Sequence, residues 1–397
     1  MKNAYPHHVQ WYHETQRSSG SDAPLEQGAA RLRDRFLLGL GAVADEALNQ
    51  ALSARAAVFT ASQASYHVLF PDRVVTSAEV TLSPYDRLST ALTVAQVAGV
   101  QTLCSHYAAR LAPLASPEAT RESNVRLAQI TQYARQLASQ PTLICSKALQ
   151  QLNEVGLSTR DIVTFSQIIG FVSYQARVVA GIAALAGRPT AVIPGFPKVE
   201  DAPGDGFSEE KRLWQARLPE IVPEQADAWQ LDILDQSHPD ARIRSFYLLL
   251  AHDAATLHER NAVYNNINHK SDELSPHLRA LAALVASRIN GSPYCAAVVA
   301  NKIADKGLVQ ALLAGIENAL DTTTDPQAVA VIRVIAELTR SPEKFTPQSV
   351  QALFNSGLNQ AQALETLLTG SLYAWENRLR YSLGDTLLAE SHCNNHA

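Results

Sequence analysis

The chain has 397 residues, of which 46% are hydrophobic and 18% charged, and its net charge is −5. This length exceeds what one hydrophobic core usually supports, so two or three domains are expected. The composition is that of a globular protein, and the negative charge gives no electrostatic reason to bind nucleic acid or an anionic membrane. We therefore expect neither nucleic acid nor membrane as a partner.

Residues 1–28 lack hydrophobic periodicity, which predicts a flexible N-terminal arm. From residue 29 onward, apolar residues recur at spacings of three and four, which predicts helix for nearly every long segment. Helix starts are indicated where Ser, Thr or Asp precedes Pro, at Ser83, Ser116, Ser275, Asp325, Ser341 and Thr346. Capping-box patterns indicate two more, at Ser158 with Asp161 and at Asn359 with Gln362. The sequence predicts an all-α fold.

The middle of the chain is rich in proline and glycine between residues 188 and 207, which predicts a linker. It separates a first domain at residues 29–187 from a second at residues 208–388, and a short tail follows at residues 389–397. The two predicted domains are similar in length.

Two stretches of the first half recur in the second. Residues 82–111 match residues 274–303, which lie 192 positions later, and both describe a helix, a glycine turn and a second helix. Residues 156–177 match residues 357–378, which lie 201 positions later and pair arginine with arginine. Either match taken singly could be a coincidence of common helix patterns, but two in the same order favour an internal duplication.

The most apolar stretch, residues 168–186, carries Gln175 and Arg177 in its middle. Such side chains are costly in lipid and common in the buried helix of a soluble protein. The chain has four cysteines, too sparse and irregular for a disulfide framework, and no signal peptide precedes them. These observations predict a cytoplasmic location.

One cysteine lies in a setting that favours reactivity. Pro293 fits the first position of a helix, which makes Ser292 the N-cap and places Cys295 in the first turn. The positive end of a helix lowers the pKa of a nearby thiol if solvent also reaches the sulfur. The alternative is a small buried hydrophobe, because free cysteine is among the most buried residue types.

The segment from 286 to 295, Ala-Ser-Arg-Ile-Asn-Gly-Ser-Pro-Tyr-Cys, resembles the core of the alkyl hydroperoxidase D and carboxymuconolactone decarboxylase-like family. Residues 375–378 and 382–384 resemble the end of its peroxidase-related branch, and residues 88–92, 106–107 and 171–177 resemble a sister branch without a cysteine pair. The resemblance implies a fusion of two such all-α domains that assembles into a homo-oligomer.

Active members of that family carry a Cys-x-x-Cys motif with a glutamate before it and a histidine after it. Here the corresponding positions hold Ala280, Ser292 and Val299, and Cys295 alone is kept. The resemblance implies that Cys295 occupies the position that reacts with peroxide. Ser292 can cap the helix and donate a hydrogen bond to a thiolate, but it cannot form the disulfide of a dithiol cycle.

We therefore expect a peroxidase-related thiol oxidoreductase, with Cys295 and Ser292 as its catalytic residues, a hydroperoxide as substrate and an external thiol as reductant. The alternative is a non-catalytic helical protein that binds a small molecule or a partner. Decarboxylase-type chemistry is a third hypothesis, and it needs a base that the sequence does not place. The chain carries no nucleotide-binding fingerprint, so we expect no cofactor.

Four histidines upstream of Cys295, namely His252, His258, His269 and His277, are surface or structural residues unless the fold brings one of them to the sulfur. His252 and His258 are six residues apart, which places them off a common helix face, and we expect no metal site. His392, Cys393 and His396 could chelate zinc but lie in the predicted tail.

Polar pairs occupy matching positions on the last helix of each half, Gln175 with Arg177 and Glu376 with Arg378. A buried arginine usually has a partner. These pairs are therefore predicted to be structural, either as ion pairs or as caps on a neighbouring helix end. The alternative is a polar contact for a small anionic ligand.

Overall fold

The structure is a computed structural model that describes residues 27–188, 199–269 and 273–388. It is 71% helical and contains one two-stranded sheet, so the predicted all-α fold is confirmed. Most of the predicted arm, residues 189–198 of the predicted linker and the tail with His392, Cys393 and His396 lie outside the described residues.

The helices of the first half are α1 (Glu46–Ala54), α2 (Ala56–Leu69), α3 (Pro84–Ala98), α4 (Gln101–Leu111), α5 (Arg121–Ser139), α6 (Ser146–Glu154) and α7 (Thr159–Leu185). Those of the second half are α8 (Ala228–Ser237), α9 (Ser245–Leu250), α10 (Ala254–His269), α11 (Pro276–Asn290), α12 (Pro293–Ala300), α13 (Lys306–Ala314), α14 (Ile316–Thr322), α15 (Pro326–Arg340), α16 (Pro347–Asn355) and α17 (Gln360–Leu383). Strand β1 (Arg212–Ala216) pairs antiparallel with β2 (Gly384–Leu388).

Most predicted helix starts are confirmed. Capping boxes begin α3 at Ser83, α7 at Ser158 and α17 at Asn359, and proline takes the first position of α11 and α15. Ser341 precedes only a short 3-10 turn. The start predicted at Ser116 is wrong, because α5 begins five residues later, where the Thr120 side chain accepts a hydrogen bond from the Ser123 N–H.

The helix order of the first half recurs in the second at the spacings of the two sequence matches. Helices α11 and α12 begin 192 residues after α3 and α4, and α16 and α17 begin 201 residues after α6 and α7. The difference in spacing is taken up between α12 and α15, where the second half adds α13 and α14. Equivalent positions of the two halves can therefore be compared directly.

The two halves share one interior. The long helices α7 and α17 pack against each other, as do α2 and α10. The Tyr174 ring stacks on the Trp375 indole with their centroids 5.8 Å apart. Gly170 permits this approach, since a Cβ there would collide with the Trp375 indole. The core therefore runs through both halves without a break at their boundary.

Two arginines join the halves reciprocally. Arg177 on α7 donates to the carbonyl of Thr339 near the end of α15 at 2.6 Å, and Arg378 on α17 donates to the carbonyl of Ala138 near the end of α5 at 2.5 Å. The last carbonyls of a helix lack partners within the helix, so each arginine satisfies a helix end in the other half. The predicted role as a cap on a neighbouring helix end is confirmed.

Helix α7 is long and apolar enough to cross a membrane, with a mean hydropathy of 1.6 in its most apolar window, but 94% of that window is buried inside the protein. The prediction of a buried core helix is confirmed, and such a helix is compatible with a soluble protein. The cytoplasmic location stays a prediction.

The small sheet was missed from the sequence. Strand β1 has alternating burial, with Leu213 and Gln215 outward, and it is only five residues long. Its partner β2 follows α17 directly, and the pairing brings Trp214 against the last turn of that helix, where its indole N–H donates to the Arg380 carbonyl at 2.7 Å. The sheet thus places Trp214 beside the candidate site.

Candidate functional site

The first turn of α12 has the predicted geometry. Ser292 is the N-cap, Pro293 is the first helical residue, and the Cys295 N–H donates to Ser292 Oγ at 3.4 Å. The turn begins after Gly291, whose φ of 81° lies in the left-handed region that favours glycine. The backbone thus holds the Cys295 side chain at the positive end of a helix.

The sulfur is buried, contrary to the condition for a reactive thiolate. Cys295 is 4% exposed and Ser292 1% exposed. Burial raises the pKa of the Cys295 thiol, and the opposing effects of Arg380, the Ser292 side chain and Arg260 do not reverse it. The expectation of a lowered thiol pKa is wrong, because the desolvation of a thiolate here outweighs the helix end.

A buried ionic cluster lies beside Cys295. Glu376 on α17 pairs with Arg380 one turn later, Oε1 to Nε at 2.8 Å, and with Arg260 on α10. Arg380 also lies over the Phe246 ring, with its guanidinium carbon 3.3 Å from the centroid, and over the Tyr294 ring at 4.9 Å. Two cations thus share one carboxylate, which leaves the cluster with one net positive charge.

No described imidazole serves the thiol. His252 Nε2 lies 2.9 Å from the Pro219 carbonyl, and His258 lies beside the Trp229 ring. The groups that shift the pKa of Cys295 are Arg380, Ser292 and Arg260, with no histidine or carboxylate among them. The side chain of His269 lies outside the described residues. Deprotonation of Cys295 therefore falls to water or to the reacting peroxide.

The other described cysteines differ sharply from Cys295. Cys104 on α4 is buried, and burial raises the pKa of its thiol to about 12. Cys145 is exposed at the N-cap of α6, where the backbone N–H groups of Ala148 and Lys147 lower the pKa of its thiol. The sequence signal for Cys145 was available, since its equivalent 201 residues later, Thr346, also caps a helix.

The equivalent region of the first half carries neutral groups. Leu103 stands at the position of Cys295, and Tyr107 donates to the Gln175 Oε1 at 2.6 Å, where Gln175 is the equivalent of Glu376. The amide of Gln175 in turn donates to the carbonyls of Arg35 and Phe36. The buried polar groups here are satisfied by hydrogen bonds between uncharged partners.

A separate triad in the first half joins Tyr66, His106 and Arg110. The Tyr66 hydroxyl lies 2.7 Å from His106 Nε2 and accepts from Arg110 Nη1 at 2.5 Å, and His106 Nδ1 lies 2.8 Å from the Ala29 carbonyl. A carbonyl only accepts, so Nδ1 carries the proton and Nε2 accepts from Tyr66. Burial lowers the pKa of His106 to about 4, which keeps the ring neutral.

In the described ranges there is no group of three or more His, Cys, Asp or Glu side chains placed to hold a metal ion. A comparison with protein-family models finds no match to this chain, and no curated protein matches it. The site must therefore be interpreted from its own geometry.

Proposed function

We propose that the protein is a peroxidase-related thiol oxidoreductase of the alkyl hydroperoxidase D-like type, in which Cys295 reduces a hydroperoxide. The observation that carries the proposal is the net positive charge beside the sulfur, because Arg260 and Arg380 share only Glu376 as a carboxylate partner in the described part of the chain. A thiolate at Cys295 would balance that charge, and the Ser292 hydroxyl and the α12 end would stabilise it further.

In the proposed reaction, the Cys295 thiolate attacks the outer oxygen of the hydroperoxide. The O–O bond breaks, an alcohol leaves after taking up a proton, and the sulfur is oxidised to sulfenic acid. An external thiol then condenses with the sulfenic acid to give a mixed disulfide and water, and a second thiol releases Cys295 as the external disulfide forms. Ser292 stabilises the thiolate but takes no part in a disulfide.

Burial sets the rate of this chemistry. Because the pKa of the thiol is raised, only a small fraction of Cys295 is thiolate at neutral pH, and the rate of oxidation should increase as the pH rises above neutrality. A small hydroperoxide should react faster than a bulky one, since the sulfur is 4% exposed. The homo-oligomer implied by the resemblance belongs to the same proposal, and sedimentation would test it.

The test uses a chain in which Cys145 and Cys393 are replaced by serine, so that the exposed Cys145 and the tail cysteine do not contribute. After peroxide treatment, a sulfenic acid probe followed by mass spectrometry should label Cys295, and Cys295→Ser should abolish peroxide consumption while Cys104→Ser leaves it unchanged. Arg380→Gln should slow the labelling, because it removes the largest stabilising charge. Labelling that never reaches Cys295, or consumption that survives Cys295→Ser, would overturn the proposal.

The competing function is a non-catalytic binding protein, and one observation favours it: the sulfur is buried where a peroxidatic thiol needs access. On this hypothesis Cys295 stays unlabelled at every pH up to the start of unfolding. The pH dependence of labelling thus separates the two functions.

A further inference from the structure

The first half contains a cavity of about 370 Å³ between α4, the end of α7 and the segment before α1. Its apolar wall is formed by Leu38, Leu40, Val43, Val100 and Val179, and Glu343 from the second half closes one side. Cavities of this size, apolar with one or two polar groups, are typical of small-molecule sites.

The cavity occupies the place that the second half uses for its thiol site. Val100 is the equivalent of Ser292, 192 positions earlier, and Val179 is the equivalent of Arg380, 201 positions earlier. In the second half that space holds the Arg380 side chain, packed against the Phe246 and Tyr294 rings. The first half lacks a large side chain at both positions, so the space stays open.

Glu343 is the polar group of this cavity. It is 6% exposed, and no other described residue forms an ion pair or a hydrogen bond with its carboxylate. An added Cβ at Gly99 would lie 2.7 Å from Glu343 Cβ, so Gly99 is what lets the glutamate pack this closely against the end of α3. A buried carboxylate without a partner is costly, and a ligand that brings a cation would offset that cost.

We propose that this cavity binds a small primary amine, whose ammonium group pairs with the Glu343 carboxylate and whose apolar part lies along Leu38, Val43 and Val179. Arg188 also lines the cavity but is exposed, so solvent screens its charge. The proposal concerns a site distinct from Cys295 and does not depend on its chemistry.

The electrostatics of Glu343 agree with this assignment. Burial raises the pKa of its carboxyl group, while Lys344 on the same turn and Arg177 on α7 act in the opposite direction. Arg177 is held by the carbonyls of Ser173 and Thr339 and forms no ion pair with Glu343. An ammonium ion in contact with the carboxylate would supply the missing partner, and amine binding should therefore strengthen as Glu343 ionises.

Calorimetric titration of the full chain with pentylamine, pentanoate and 1-pentanol tests the proposal, because the three share an apolar body and differ in the charged group. We expect pentylamine to bind with a dissociation constant of about 1 mM or tighter, as its few atoms allow, and at least tenfold more tightly than the other two. Glu343→Gln should weaken amine binding about tenfold, a loss of about 1.4 kcal/mol.

Two control variants locate the site. Glu200→Gln changes an exposed carboxylate and should leave amine binding unchanged, whereas Ala183→Leu adds volume to the cavity wall and should weaken it while Glu343 is kept. Equal binding of pentanoate or 1-pentanol, amine binding that is insensitive to Glu343→Gln or Ala183→Leu, or no binding of any of the three would overturn the proposal.

Discussion

The two halves place different chemistry at the same point of a similar arrangement of helices. Around Cys295 the second half buries two arginines and a glutamate, whereas the equivalent region of the first half has Leu103 and a Tyr107–Gln175 hydrogen bond. Both regions are buried beside the long helix of their half. The comparison teaches that this arrangement of helices accepts either a charged or a neutral polar cluster, so the charged cluster is not required by the fold itself.

The largest difference expected between the halves is in thiol reactivity. Cys145, exposed and with a lowered thiol pKa, should be alkylated by iodoacetamide at pH 7.5 faster than Cys104 by a factor on the order of 1,000, since alkylation follows the thiolate. Cys295 should also be slow, because burial raises its pKa. Peptide mass spectrometry over time measures the three rates, and Cys145→Ser should remove the fast one. Equal rates for Cys145 and Cys295 would break the contrast.

The next prediction exchanges the character of one cluster. Glu376→Gln removes the carboxylate that Arg260 and Arg380 share and leaves two buried cations without a counter-ion, which should lower the free energy of unfolding by about 3–5 kcal/mol.

Gln175→Ala is the matched change in the first half. It removes neutral hydrogen bonds and should cost about 1–3 kcal/mol. Urea denaturation of both variants gives the two values. A cost for Glu376→Gln no larger than that for Gln175→Ala would show that the charged cluster is not held together by its ion pairs.

The smallest effect concerns the neutral cluster of the first half. His106 has a folded-state pKa of about 4, below its unfolded value, so the unfolded state takes up a proton first as the pH falls. The protein should therefore lose about 3 kcal/mol of stability between pH 6.5 and pH 4 through this residue. His106→Gln should flatten that part of the pH profile of stability, and His67→Gln, on an exposed side chain, should not. A profile unchanged by His106→Gln would contradict the assignment.

Much of the fold follows from the sequence because its signals are local. Ser83, Ser158 and Asn359 cap helices within three residues of themselves, and such motifs need no knowledge of the rest of the chain. The pairing of β1 with β2 joins segments about 170 residues apart. That pairing is long-range, and each strand is too short to carry a clear pattern.

The candidate site shows the same division. The cap at Ser292 and the place of Cys295 in the first turn are local, and the sequence predicts both. The burial of the sulfur and its neighbours Arg260 and Arg380 come from helices that meet only in the folded chain. The cavity beside Glu343 is hidden for the same reason, since its wall and its carboxylate belong to different halves.

The reciprocal arginine caps have a consequence for the order of synthesis. The first half leaves the ribosome before residue 339 exists, so the acceptor for Arg177 Nη2 is absent while α7 is being made. Helix α5, in turn, must wait for Arg378 to cover its last carbonyls. The newly made first half therefore cannot settle into its final packing by itself, and the chain completes its core only when α17, the last helix, has been translated.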